Sequence, residues 1–182
     1  RFHKIPTFGW STIRCFSNNV SAMKKLAGRD FGVILQCSLP IFEGLLPEPH
    51  DKRIQDLLFA LANWHACAKL RLHTESMLSH LHAATSYLGS QLRHFVKTTC
   101  PHFDTKELPC EEAARVRRRQ KQGTTGANLS SLPGAHNRKS LNLSTFKLHA
   151  LGDYATQIEL FGTTDSFSTQ TVSSLLYSAQ HL

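Results

Sequence analysis

Apolar positions recur most regularly between Asp51 and Phe95. Ile54, Leu57, Leu58, Leu61, Trp64, Ala68 and Leu72 are spaced as on one face of an α-helix. Asp51, shortly after Pro49, is the predicted N-cap of that helix. A second stripe of Leu78, Leu81, Thr85, Leu88, Leu92 and Phe95 follows. Thr74 is its predicted cap, and Glu75 places an acid in the first turn, where it complements the helix dipole. Neither helix can bury its stripe alone, so the two are predicted to pack antiparallel as a long hairpin.

The flanking patterns are shorter. A helix is predicted from Asn18 or Ser21 to about Leu39 on Val20, Met23, Leu26, Ala27, Val33, Ile34 and Cys37. Gly28 and Gly32 each weaken it by up to about 1 kcal/mol relative to Ala. Pro40 is expected to start or kink the next piece, and Pro47-Glu-Pro49 to close it as a turn. Pro101 ends the second hairpin helix. Pro109 then suits the first turn of another, with Glu111 and Glu112 at its start and a cluster of arginines at its end. A last helix is predicted from Ser144, its cap, to about Phe161, with Leu148, Leu151, Tyr154, Ala155 and Ile158 on its face and Gly162 as its stop.

No stretch alternates convincingly as a strand, so the fold is predicted to be mainly α. The chain divides into an irregular N-terminal segment (1–17), a helical domain (18–119), a flexible, disordered basic and polar loop (120–140), a C-terminal helix and motif segment (141–170) and a divergent tail (171–182).

Composition narrows the picture. At 182 residues and 41% hydrophobic, the chain is long enough for one domain with a core. Lys plus Arg is 21 against 13 for Asp plus Glu, a net charge of +8, which favours phosphate-rich partners without fixing fold or specificity. No apolar run approaches the roughly 18 residues of a membrane span. The five cysteines are odd in number and widely spaced, and no signal peptide is seen, which suits a reduced intracellular setting. The first residue is Arg1, which fits a fragment of a longer protein.

The histidines and cysteines do not form a metal motif. His65 and Cys67, like His80 and His82, are two apart and diverge on a helix, and Cys100, His102 and Cys110 lack paired ligand spacing. No Gly-flanked serine elbow and no glycine-rich phosphate loop occurs. No catalytic residue, metal, cofactor or small-molecule ligand is therefore inferred. The feature above background is Arg115-Val-Arg117-Arg118-Arg119-Gln-Lys121, echoed by Arg138-Lys139. It suits tracking of a phosphate backbone or a nuclear import signal, and equally a solvated helix end, since no aromatics interleave to stack bases.

Four stretches carry a family resemblance. They are Leu35-Gln-Cys-Ser-Leu-Pro-Ile-Phe-Glu-Gly-Leu-Leu-Pro47, the run from Asp56 to Glu75 that contains Asn63-Trp-His-Ala-Cys-Ala-Lys69, Thr105-Lys-Glu-Leu-Pro-Cys-Glu-Glu-Ala-Ala-Arg115, and Leu141 to Gln170. Together they resemble the C-terminal region of proteins of fungal DNA transposons of the Plavaka and Kyakuja–Dileera–Zisupton kind, from about Arg29 to Gln170. The resemblance implies the helical part of an RNase H-like transposase, in which acidic residues hold two divalent metals, magnesium in an intact member, for DNA cleavage and joining. Its first acids would lie upstream of Arg1. In relatives the counterpart of Ser168–Gln170 runs into a Gly-Glu-Leu-Glu-His-Arg motif, a candidate source of the last carboxylate. Here Thr171-Val-Ser-Ser-Leu-Leu-Tyr177 follows, and Asp165 is the last acid. The expectation is a catalytically inert, truncated transposon-derived protein with weak non-specific DNA binding. The alternatives are a self-associating helical interaction module and part of a metal-dependent transposase completed by residues outside this chain.

Overall fold

The computed structural model describes residues 1–9, 13, 16, 20, 23, 26, 28–121 and 137–166, with only the backbone for 119–121. Its architecture is mainly helical, and among the described residues the only strand-like pairings are the isolated bridges Phe8–Ile13 and Lys106–Arg138. The tail at 171–182 and most of the predicted loop, 122–136, lie outside the described residues.

The predicted hairpin is formed by α2 (His50–Ala68) and α3 (Glu75–Thr98). Two polar contacts fix its antiparallel register. His50 Nδ1 lies 3.3 Å from Thr99 Oγ1 at the open end, and Trp64 Nε1 donates to Thr85 Oγ1 at 2.8 Å nearer the turn. Fourteen residues separate the two contacts on each strand of the hairpin, from 50 to 64 and from 85 to 99. Around them Ile54, Leu57, Ala60, Trp64, Leu81, Ala84 and Leu88 are buried in one cluster. A fully buried leucine of this kind stabilises the fold by about 1.5–3 kcal/mol. Leu58, Leu61, Leu78, Leu92 and Phe95 are partly buried against the same cluster, whereas Leu72 lies beyond α2 and is exposed. Thr74 caps α3 as its sequence position demands, accepting from the Met77 amide at 3.3 Å.

Asp51 is not the cap of α2. The helix starts one residue earlier, at His50, and Pro49 occupies the cap position. From the first turn, the Asp51 carboxylate instead reaches back to the preceding turn and accepts from the amides of Gly44, Leu45 and Leu46 at 3.0–3.1 Å. Those amides hold its carboxyl below the ordinary carboxylate range. The Pro47–Pro49 segment forms the predicted turn, and the Glu48–Pro49 peptide is cis.

α1 (Gly28–Phe42) packs on α2. It differs from the predicted helix at both ends. Met23 and Leu26 lie outside any helix, because the N-terminal segment uses its apolar residues for packing: Phe2, Ile5, Ile13, Val20 and Met23 surround Phe16, Cys37 and Ile41 in a second, smaller core. Burial there pushes the Cys37 thiol upward in pKa. Pro40 neither starts a new element nor ends this one; the helix runs through it for two residues. So near the C-terminus the lost amide falls in the final turn, where Arg1 Nη1 donates to the carbonyls of Ile41 and Glu43 at 2.7 and 2.9 Å.

The last predicted helix is broken. α5 (Phe146–His149) passes through a 3₁₀ turn at Ala150–Asp153 into α6 (Tyr154–Phe161). Thr145, not Ser144, sits at the N-cap of α5, and the Ser144 amide instead donates to Asn142 Oδ1 at 2.8 Å. Gly162, at φ 84°, ends α6 as predicted. Ala155 and Ile158 bury into the hairpin core, and Tyr154 meets Trp64 edge-on with ring centroids 4.9 Å apart. The chain then returns to the hairpin turn, where Thr164 Oγ1 donates to the Ala68 carbonyl at 3.1 Å and Arg71 pairs with Asp165 at 3.2 Å.

Candidate nucleic-acid interface

The basic run lies on α4 (Pro109–Lys121), which starts at Pro109 as predicted. Glu111 closes its N-terminus by accepting from the Leu108 amide at 3.0 Å. None of the side chains from Pro109 to Arg118 is buried, and Leu108 and Val116 are exposed. Apolar packing therefore does not fix this helix in place.

Polar contacts fix it instead. The segment before α4 pairs with residues 137–139: the Glu107 amide donates to the Asn137 carbonyl at 2.9 Å and the Lys139 amide to the Thr105 carbonyl at 2.8 Å. Thr105 Oγ1 adds a bond to the Lys139 carbonyl at 2.6 Å. The predicted loop thus ends in a paired segment by Asn137. At the centre lies the Glu107 side chain, 3% exposed. It accepts from Arg115 Nε at 3.1 and 3.2 Å, from Arg115 Nη2 at 3.0 Å and from the Asn137 amide at 3.3 Å. The Arg115 fork keeps the Glu107 carboxyl below its usual range against the opposing effect of burial, and Glu107 in turn raises the Arg115 guanidinium.

This arrangement separates the predicted phosphate-binding residues. Arg115 has its guanidinium turned inward onto Glu107. Arg117 and Arg118 are exposed on α4, with Arg117 Nε 3.3 Å from the Ala113 carbonyl. Arg119 and Lys121 belong to the helix by their backbone, and their side chains lie outside the described residues. Arg138 is 3.5 Å from Asp104, which also pairs with Lys106 at 3.2 Å. Lys139 lies 4.0 Å from Glu111.

Arg118 and Lys139, distant in sequence, line one open groove of about 580 Å³ with Arg115, Glu107, Cys110 and Glu111. Sequence reasoning identified the basic residues but missed Glu107, because a lone glutamate two positions before a helix carries no periodic or motif signal. An acid followed eight residues later by an arginine, across a proline helix start, was the available hint.

The histidines and cysteines are placed otherwise than as a cluster. His102 stacks on the buried His50 with centroids 4.3 Å apart, and Phe103 packs edge-on against both. Cys37, Cys67, Cys100 and Cys110 are free thiols. Among the described residues, no three His, Cys, Asp or Glu side chains converge as a metal site would require, and no helix is long and apolar enough to cross a membrane. No protein-family model, curated protein or solved structure matches this chain.

Proposed function

We propose that this chain is a helical, DNA-contacting part of a transposase-like protein of the Plavaka and Kyakuja–Dileera–Zisupton kind, binding duplex DNA weakly through its phosphates and contributing no catalytic centre of its own. The observation that carries the reading is the shared groove of Arg118 and Lys139, which gathers two separated basic segments on one exposed surface. Arg117 and Arg138, their sequence neighbours, are also exposed, Arg138 beside Asp104. A site built from side chains that can reach phosphates and, among the described residues lining it, presents no base-stacking aromatic reads the backbone and not the sequence. The replacement of the family's acidic motif by Thr171-Val-Ser-Ser-Leu-Leu-Tyr177, and the pairing of Asp165 with Arg71, support a role without chemistry.

The test is duplex binding titrated against salt. Each phosphate contact contributes about −0.9 to the slope of log affinity against log salt. Replacing both Arg117 and Arg118 by Ala is expected to flatten that slope by about 2, equally on unrelated duplexes. An affinity that ignores salt, or survives the double replacement unchanged, removes the proposal. Metal-dependent nicking by the purified chain, lost on replacing Asp153 or Asp165, would return it to the enzymes.

A further inference from the structure

We propose that Glu107 is a positioning residue for phosphate binding: its buried carboxylate, joined to Arg115 and to the Asn137 amide, holds Lys139 across the groove from Arg118. The inference rests on the DNA-binding reading above and deepens it. An acid in a basic groove should repel a phosphate, so its presence there needs a reason. The geometry supplies one. The Glu107 carboxylate, far more buried than the exposed Glu111–Lys139 pair beside it, touches both α4, through Arg115, and the returning segment, through Asn137. Its backbone continues the same connection, since its amide bonds Asn137 and its neighbour Thr105 bonds Lys139 twice. With no buried apolar side chain on α4 between Pro109 and Arg118, and only the half-buried Ala114 in the groove wall, hydrophobic packing of that stretch does little to hold the groove at this width if the carboxylate is lost.

A buried carboxylate with a forked guanidinium partner is also a demanding arrangement. Removing one member leaves the other charge unpaired in a desolvated place, so the local structure has one well-defined state or none. The groove is therefore expected to respond to Glu107 in the direction opposite to simple electrostatics. Deleting its negative charge should strengthen DNA binding if charge alone mattered, and should weaken it if position matters.

Three proteins decide the matter: the wild type, Glu107→Gln and Glu107→Asp. Binding to an unrelated duplex is measured against salt, alongside amide hydrogen exchange. If Lys139 loses its place, Glu107→Gln forfeits one phosphate contact: its salt slope flattens by about 0.9 and its affinity falls about fivefold near 0.15 M salt. Exchange at the Lys139 amide accelerates in that variant, while the amides of Leu81 and Leu88 in the hairpin stay protected, showing that the fold is intact. Glu107→Asp, which keeps the carboxylate, recovers part of the slope. Wild-type-like or tighter binding by Glu107→Gln, in a wild type that does bind, overturns the positioning role and leaves the interface standing. A wild type without salt-dependent binding overturns both.

Discussion

In the α2–α3 hairpin, Leu81 and Leu88 are shut off from solvent among Ile54, Leu57, Trp64 and Ile158; in α4, from Pro109 to Arg118, no side chain is buried at all. The first region is joined by many small apolar contacts, the second by one buried carboxylate and a few further polar contacts. Apolar contacts add up without direction and survive the loss of any single polar partner. A polar junction depends on geometry, and it opens locally when one member is changed. The hairpin is accordingly the stable body of the molecule, and α4 with residues 137–139 is a separable surface unit.

The largest expected effect tests the body. Leu81→Ala should lower the unfolding free energy by about 2–5 kcal/mol, read from denaturant melts followed by far-ultraviolet circular dichroism. A loss below 1 kcal/mol would mean that the hairpin is not the main source of stability. Thr85→Val sharpens the comparison inside the hairpin. It leaves the Trp64 indole N–H without its acceptor at a cost of about 1–3 kcal/mol, so even the apolar region contains one polar contact that matters globally.

Acid separates the regions by pH. Burial, with help from His102 and Arg53, holds His50 below the ordinary imidazole pKa. The unfolded chain then binds the proton more readily, so this contribution is complete above about pH 6.5 and declines as the pH falls below it. Asp51 lies below the ordinary carboxylate range, so its contribution persists to about pH 4 and is lost only in stronger acid; Glu107 shifts in the same direction, but its effect stays local to α4 and residues 137–139. The melting temperature should therefore fall in two steps, and His50→Gln should shrink the upper one, to which His65, also held low by burial, contributes. The smallest global effect is expected from Arg115→Met. The hairpin melt should barely move, while proteolysis or amide exchange at 104–108 and 137–139 should rise sharply. A matching drop in the global melt would show that the two regions are one cooperative unit.

The hairpin was legible because its signal is periodic and local: every apolar turn from Ile54 to Phe95 repeats the same instruction, and Thr74 marks where one helix stops and the next begins. The extents of α1 and of the last helix were not, since tertiary contacts decide them. Val20 and Met23 continue a helical spacing yet pack onto the outside of α1, and the apolar run through Leu148 and Leu151 hides the 3₁₀ turn that ends at Asp153. At the candidate site the charges could be read, but their partners could not. Arg115 looks like its neighbours in sequence, and only the return of Asn137 beside Glu107 shows that it faces inward.

Asp51 has a bearing on which parts of the chain tolerate a change of length. Its carboxylate spans three consecutive amides, Gly44 to Leu46, from a fixed point in the first turn of α2. One residue added between Phe42 and Pro47 would carry at least one of those amides out of reach, so the side chain acts as a gauge on the turn. The link at 69–74 is bridged by one side-chain contact, His73 on the Cys67 carbonyl, while the Thr74 cap is local to α3. Insertions and tags are therefore better accommodated between Lys69 and Leu72 than in the corner that joins α1 to α2.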